Sequence, residues 1–332
     1  MPIRYTQARN IVLFRSQATT DSGGMKAIRI HGYGGPEVLQ YEDVVVPTPG
    51  AGELLIKVQA ASVNPLDWKT RAGYLKGLFP HTLPFILGWD ASGVVEAVGS
   101  GVTKFKKGDE VYTRTNRDGT YAEYAILNET EAALKPKSVD HLSAAGIPLA
   151  ALTAWQALFE KARLAAGQKI LIHGASGGVG SFAVQFAKWK GAQVIGTASA
   201  KNQALLRELG TDEPIDYGTT RFDDVVRGVE VVFDTVGGDT QERSWKVLNK
   251  GGILVSIVPP PPPAELAAKY GVRAEMLGSQ ASSDQLEEIA KLVDSGHVRP
   301  VVENVFPLAE ARRAHELIAT GHTRGKIVLE VV

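Results

Sequence analysis

The stretch HGASGGVGSFAVQFAKWKGAQVIGTAS, residues 173–199, decides the fold. Lys169, Ile170, Leu171 and Ile172 precede it, a short apolar run suited to a parallel strand buried on both faces. A glycine-rich turn follows at once, then a helical pattern, then a second apolar run at 193–198. Read from Ala175, the turn fits G-x-G-x-x-G/A with Ala175, Gly177 and Gly180, while Gly174 and Gly178 add backbone freedom. Small residues there permit a tight turn, let backbone approach a pyrophosphate and bring helix close to strand. The spacing predicts a helix from Gly178 to Lys190 with Phe182, Ala183, Phe186 and Ala187 on its apolar face. Its unpaired N–H groups would receive phosphates, which makes Ser176, Gly177, Gly178, Val179 and Gly180 candidate dinucleotide contacts.

The same letters also spell G-x-S-x-G, a nucleophile elbow centred on Ser176, and Asp234 and His315 follow in the chain order of a hydrolase triad. The continuation through Val179 and Gly180, the second strand and the lack of an upstream HGGG segment weigh against that alternative. No Gly-Lys-Ser/Thr closes the turn, so it is not a P-loop.

The second strand ends in Thr197, Ala198 and Ser199, without the carboxylate that binds a ribose 2′-hydroxyl and would repel a 2′-phosphate. Ser199, Lys201 and Asn202 offer donors and one positive charge instead, which favours NADPH; a solvated surface role for Lys201 stands beside that reading. Asp234, Val236 and Gly237 end another strand on the side where open α/β sheets bind ligands.

The chain has 332 residues, enough for two domains, with 36 basic and 36 acidic side chains and zero formal net charge. Such a balance gives no support for nucleic-acid or membrane partners. There is no cysteine, which excludes disulfides and thiolate metal sites, and the seven histidines show no HExxH spacing. No apolar stretch reaches transmembrane length. Residues 1–24 carry Arg4, Arg9 and Arg15, no acid before Asp21, and end in Ser-Gly-Gly; they read as a transit peptide or an upstream extension outside the fold.

From Met25 to Pro148 short strands broken by glycine and proline, without regular helices, predict a partly closed antiparallel barrel. Beyond Leu149 helices and strands alternate, as in a doubly wound parallel sheet, with strands at 169–173, 193–198, 230–234 and 252–257. The helix-like DQLEEIAKLVDSG and ARRAHELIATG and the strand KIVLEVV are expected to return to the first domain. Five prolines at 259–263 form a stiff segment, a rigid loop rather than a ligand for a proline-binding module.

The segments MKAIRIHGYGGPEVL, ASVNPLDWKTRAG, LGWDASGVVEAVGSGVTKFKKGDEVY, GTYAEY, IPLAALTAWQAL, GASGGVG and GKIVLEV are spread over most of residues 25–332. Together they resemble the zinc-free quinone oxidoreductase and enone reductase branch of the medium-chain dehydrogenase/reductase superfamily. The resemblance implies a GroES-like catalytic domain at 25–148 and 282–332 and a Rossmann NADPH-binding domain at 149–281. Zinc-dependent relatives carry Cys at or near Asn64 and His-Glu at Trp89 and Asp90, so no metal is expected. Conjugate reduction needs none: hydride goes to a quinone ring or to the β-carbon of an α,β-unsaturated carbonyl, and a hydrogen bond or proton donor supports the enolate.

The family places the VNPLDWK segment in the cleft, which makes Asn64, Lys69 and Tyr74 the catalytic candidates. Each has an ordinary alternative: a turn before Pro65, a solvated lysine, a packing tyrosine with a wet tip. Asp90 reads as a structural hydrogen-bonding residue. The resemblance further implies that Thr153 approaches the nicotinamide, with helix N-capping as the alternative, and that Tyr217 packs by the adenosine phosphate. Either Arg324 or Lys326 is expected to reach the cofactor. It also implies homodimers joined near Val272 to Gly278; the chain is expected in the cytoplasm. A nucleotide-binding protein with little turnover and a serine hydrolase are the competing classes.

Overall fold

The computed structural model describes residues 23–331, so residues 1–22 of the N-terminal extension lie outside it. Eight strands fill the N-terminal part: β1 (Gly24–Ile30), β2 (Leu39–Val45), β3 (Glu53–Val63), β4 (Phe85–Ile86), β5 (Asp90–Val98), β6 (Glu110–Arg114), β7 (Tyr124–Asn128) and β8 (Ala132–Leu134). Their axis is β3, which pairs with β5 along one edge and divides the other edge between two partners. Glu53 to Lys57 meet β7, and Ala60 to Val63 meet a strand from the far C-terminus. Covered on both faces, β3 buries Leu54, Leu55, Ile56 and Val58 and shows no clean period-two alternation. A second, three-stranded sheet of order β2-β1-β4 joins through an antiparallel bridge between Ala27 and Ala122, giving the partly closed barrel.

Two helices interrupt this region, contrary to the expectation of none: α1 (Pro65–Arg71) and α2 (His141–Ala145). Both start on local caps. The Asp67 carboxylate accepts from the Asn64 backbone N–H at 2.6 Å with Pro65 in the first turn, and Asp140 accepts from Ser143 N–H at 2.8 Å. At seven and five residues they are too short to display an apolar period.

The following segment holds α3 (Pro148–Trp155), β9 (Lys169–Ile172), α4 (Gly178–Trp189), β10 (Gln193–Ala198), α5 (Gln203–Glu208), β11 (Glu213–Asp216), α6 (Phe222–Val225), β12 (Val229–Asp234), α7 (Gly238–Ser244), β13 (Leu248–Ser256), α8 (Ala264–Tyr270) and β14 (Arg273–Met276). The sheet is wholly parallel, in the order β11-β10-β9-β12-β13-β14, with Ile170 of β9 opposite both Val194 and Val231. Phe182 and Phe186 of α4 are fully buried, each stabilising the fold by about 2–3 kcal/mol. The prolines at 259–263 form the connection between β13 and α8.

The chain then runs through α9 (Ser283–Asp294), β15 (Val302–Pro307), α10 (Ala311–Ala319) and β16 (Lys326–Glu330). Strand β16 pairs antiparallel with β3 and parallel with β15, so the last strands extend the barrel sheet. Helix α9 faces both parts: Leu286 and Ile289 pack into the core that contains Phe182, and the Leu286 carbonyl accepts from the Tyr112 hydroxyl of β6.

Candidate functional site

The turn after β9 is shaped by backbone contact. Gly174 has φ +64°, in the left-handed region, and a Cβ there would stand 2.5 Å from Thr235 Oγ1. A Cβ on Gly180 would lie 2.2 Å from the Gly174 carbonyl oxygen, so helix and strand meet at a distance that only glycine allows. Gly177 is the extended N-cap of α4, and the first helical bond runs from Ser181 N–H to Gly177 O at 2.9 Å. The N–H groups of Gly178, Val179 and Gly180 therefore lie in the unpaired first turn, at the positive end of a twelve-residue helix. This cradle fits a dinucleotide pyrophosphate.

At the end of β10, Lys201 is exposed and makes no ion pair among the described residues, whereas Asn202 is buried and donates through Nδ2 to Ser176 Oγ at 3.0 Å and Ser199 Oγ at 3.3 Å. Asn202 thus ties the two turns together, with Lys201 the exposed cation next to it in sequence. Tyr217 is 57% exposed beside it, its N–H donating to the Ala198 carbonyl at 3.2 Å. Asp234 closes β12 with its carboxylate accepting from the N–H groups of Val236 and Gly237, from Gln241 and from Ser256. That leaves Val236 half exposed at the C-terminal end of β12, and Gly237 at φ +79° turning the chain into α7. Thr153 lies within α3 and donates to the Leu149 carbonyl at 2.6 Å, so it does not cap the helix, which begins after Ile147.

The hydrolase alternative fails on this geometry. Ser176 Oγ accepts from Asn202, and Asp234 is committed to its own turn. His315 sits in α10, fully buried, with Nε2 at 3.4 Å from the Tyr121 hydroxyl and Nδ1 at 3.4 Å from Arg71. Chain order brought three residue types into line that the fold does not bring together.

On the barrel side, Asn64 and Asp90 form a buried polar knot with Ser62 and Lys326. Asp90 Oδ2 accepts from Ser62 Oγ at 2.8 Å and from Asn64 Nδ2 at 2.9 Å, while Oδ1 accepts from Leu149 N–H, in the first turn of α3, at 2.9 Å. Lys326 Nζ hydrogen-bonds Asn64 Oδ1 and lies 3.9 Å from Asp90 Oδ2. Burial raises the Asp90 carboxyl against the pull of Lys326, and burial lowers the Lys326 ammonium against the pull of Asp90 and Asp67. Asp67, fully buried behind Asn64, is pushed well up by desolvation and the Asp118 charge.

The other catalytic candidates stand outside this knot. Lys69 is half-buried, its ammonium 5.8 Å from the Trp68 ring centroid, and desolvation lowers its pKa. Tyr74 is 72% exposed and meets the edge of Trp68 at 5.9 Å. Arg324 turns to the surface and pairs with Glu303 at 3.1 Å, whereas Lys326 turns inward. Ser62 and Asp67 were not anticipated; Asp67 had a local signal in its place three residues after the capping Asn64, and Ser62 had none. Among the described residues, no group of three or more His, Cys, Asp or Glu side chains is arranged to hold a metal ion, and no helix is long and apolar enough to cross a membrane.

Comparison with known proteins places this geometry. Residues 50–137 match the alcohol dehydrogenase GroES-like domain and residues 209–329 the zinc-binding dehydrogenase family. The NADPH-dependent alkenal/one oxidoreductase of Arabidopsis thaliana chloroplasts is 37% identical over 92% of this chain and 79% of its own. The quinone oxidoreductase structure from Coxiella burnetii superposes with TM-score 0.86 at 38% identity, covering 93% of this chain and all of that one. A mycobacterial protein solved in complex with NADPH gives TM-score 0.82 at 32% identity, over 92% and 99% of the two chains. Barrel, parallel sheet and both sets of matches agree, and the chain belongs to the quinone oxidoreductase and alkenal reductase branch of the medium-chain dehydrogenase/reductase superfamily.

Proposed function

We propose that this chain is an NADPH-dependent reductase of quinones or α,β-unsaturated carbonyls that works without a metal. The observation that carries the reading is the cradle of Gly174, Gly178 and Gly180 at the N-terminus of α4, tied to the Asn64 knot by the segment before β16: Gly325 N–H donates to the Ser176 carbonyl at 2.8 Å. The relatives' names and the NADPH-bound neighbour support the cofactor and the acceptor class. Asn64 and Trp89 offer neither a thiolate nor an imidazole for zinc, which supports metal-independent chemistry.

Gly177, Gly178, Val179 and Gly180 would hold the pyrophosphate; Ser199, Lys201 and Tyr217 the 2′-phosphate edge; and Thr153 with Val236 and Gly237, the turn that Asp234 braces, would line the rest of the cofactor's path. When bound, the reduced dinucleotide supplies the hydride. Asn64 orients the barrel side of the cleft, and Lys69, with its lowered pKa, balances charge on the acceptor oxygen and delivers the proton. Residues 25–148 with 282–332 act as the catalytic unit and 149–281 as the cofactor unit, in keeping with the pairing of β16 and β3. The enzyme is cytoplasmic and homodimeric through β14, the edge of the parallel sheet.

The test is NADPH fluorescence on binding, followed by oxidation against a panel of quinones and enones. Saturable binding with turnover of one acceptor class is expected. Binding without turnover of any acceptor would favour a nucleotide-binding protein instead.

A further inference from the structure

Lys326 is 4% exposed, and its ammonium ends on Asn64 and beside Asp90, both on the barrel. Its stem passes the start of α4, where a Cβ on Gly178 would lie 2.9 Å from Lys326 Cδ. Its own N–H donates to the Val301 carbonyl, and the preceding Gly325 forms a parallel bridge with Gly177. One side chain thus touches the phosphate-binding turn and the barrel's buried carboxylate. Replacing a buried ion pair with apolar groups of similar volume is commonly neutral or stabilising, so stability alone does not explain an ammonium here. What the arrangement does achieve is orientation. An ammonium donates only and a carboxylate accepts only, so Oδ1 of Asn64 must face Lys326 and Nδ2 must face Asp90, leaving the second Nδ2–H as the side chain's one uncommitted donor.

We propose that Lys326 is a positioning residue that fixes the Asn64 amide and polarises it, linking the cofactor turn to the barrel side of the cleft. The proposal rests on the reductase reading for its kinetic part only. Lys326 does not contact the acceptor; it acts through Asn64.

The experiment compares the wild type, Lys326→Met and the double variant Asp90→Asn/Lys326→Met, which removes both charges and so leaves no orphan carboxylate to unfold the chain. The first readout needs no turnover: hydrogen exchange of the Asn64 side-chain amide followed by ¹⁵N NMR on the whole chain. In both variants exchange is expected to accelerate at least about tenfold, because the amide loses a fixed partner. The second readout is kinetic, with NADPH and the best acceptor of the panel. Turnover is expected to drop about 30-fold while NADPH affinity changes less than about threefold, and Asn64→Ala should add nothing further in the Lys326→Met background. Unchanged amide exchange in both variants, or losses from Lys326→Met and Asn64→Ala that multiply, would overturn the proposal. A wild type that reduces no acceptor would sink the reductase reading, while the exchange result would still decide the role of Lys326.

Discussion

Replacing His315 by Gln removes a titrating ring while keeping an acceptor for Arg71 and a donor for the Tyr121 hydroxyl. In the folded protein burial, with the neighbouring Arg71 charge, lowers His315 from its ordinary 6.5 to about 3, which keeps the ring neutral between pH 7.5 and 4.5. The unfolded chain takes up a proton below pH 6.5 that the folded chain refuses. A depressed folded pKa contributes stability that is present above the unfolded value and lost as pH falls toward the folded one. The loss is roughly 1.4 kcal/mol per pH unit, reaching about 2.7 kcal/mol at pH 4.5 and a ceiling near 5 kcal/mol below pH 3. His315→Gln escapes this loss. The variant is expected to be less stable than the wild type at pH 7.5, because the edge contact of His315 with Tyr121 at 5.8 Å is weakened. The gap should then close by about 2.7 kcal/mol at pH 4.5. His173, whose pKa burial lowers to about 4, acts on both proteins and cancels in the difference. The assay is urea unfolding by tryptophan fluorescence from pH 7.5 to 4.5, with Trp68 and Trp89 reporting the barrel. A gap that stays constant over this range would refute the buried, neutral placement of His315, and with it the argument that this ring is closed to catalysis.

Two further outcomes concern the site itself. Lys69→Ala should lower turnover by about 10- to 100-fold with NADPH affinity unchanged. In the wild type, turnover should fall as pH rises through the lowered lysine pKa, and the variant should lack that limb; stopped-flow NADPH oxidation against pH checks both. Lys201→Ala should raise the NADPH KM by about tenfold, the loss of one charge-assisted phosphate contact, and leave the NADH KM unchanged, so paired steady-state kinetics with the two cofactors decides between a phosphate ligand and a solvated lysine.

The two halves of the site differ in how far the sequence exposes them, and the reason is the range over which each is built. The cradle is local. Gly174 and Gly180 lie six positions apart and touch through backbone, so the requirement for glycine is written in a short run of letters. The same holds for the parallel strands, whose apolar runs match β9, β10 and β12 closely because burial on both faces favours apolar residues along their middles. Helix α1 escaped because a seven-residue helix set by Asn64, Pro65 and Asp67 announces itself through caps rather than period. The barrel half of the site is long-range: Lys326 and Asn64 are 262 positions apart, and Asp90 joins them from the start of β5. Nothing in GKIVLEV distinguishes a lysine that faces inward from Arg324, two residues earlier, which faces Glu303 and solvent. Chain order is equally blind, since it aligned Ser176, Asp234 and His315 although each is committed to other partners. Cofactor recognition therefore depends on a contiguous turn, whereas orientation of the barrel amide depends on strand β16 reaching β3 in one register, Ile327 opposite Val63 and Val328 opposite Ser62. A one-residue slip would turn Lys326 away from Asn64 and leave the Asp90 carboxylate buried without its cation, so the register of the last strand is itself part of the site.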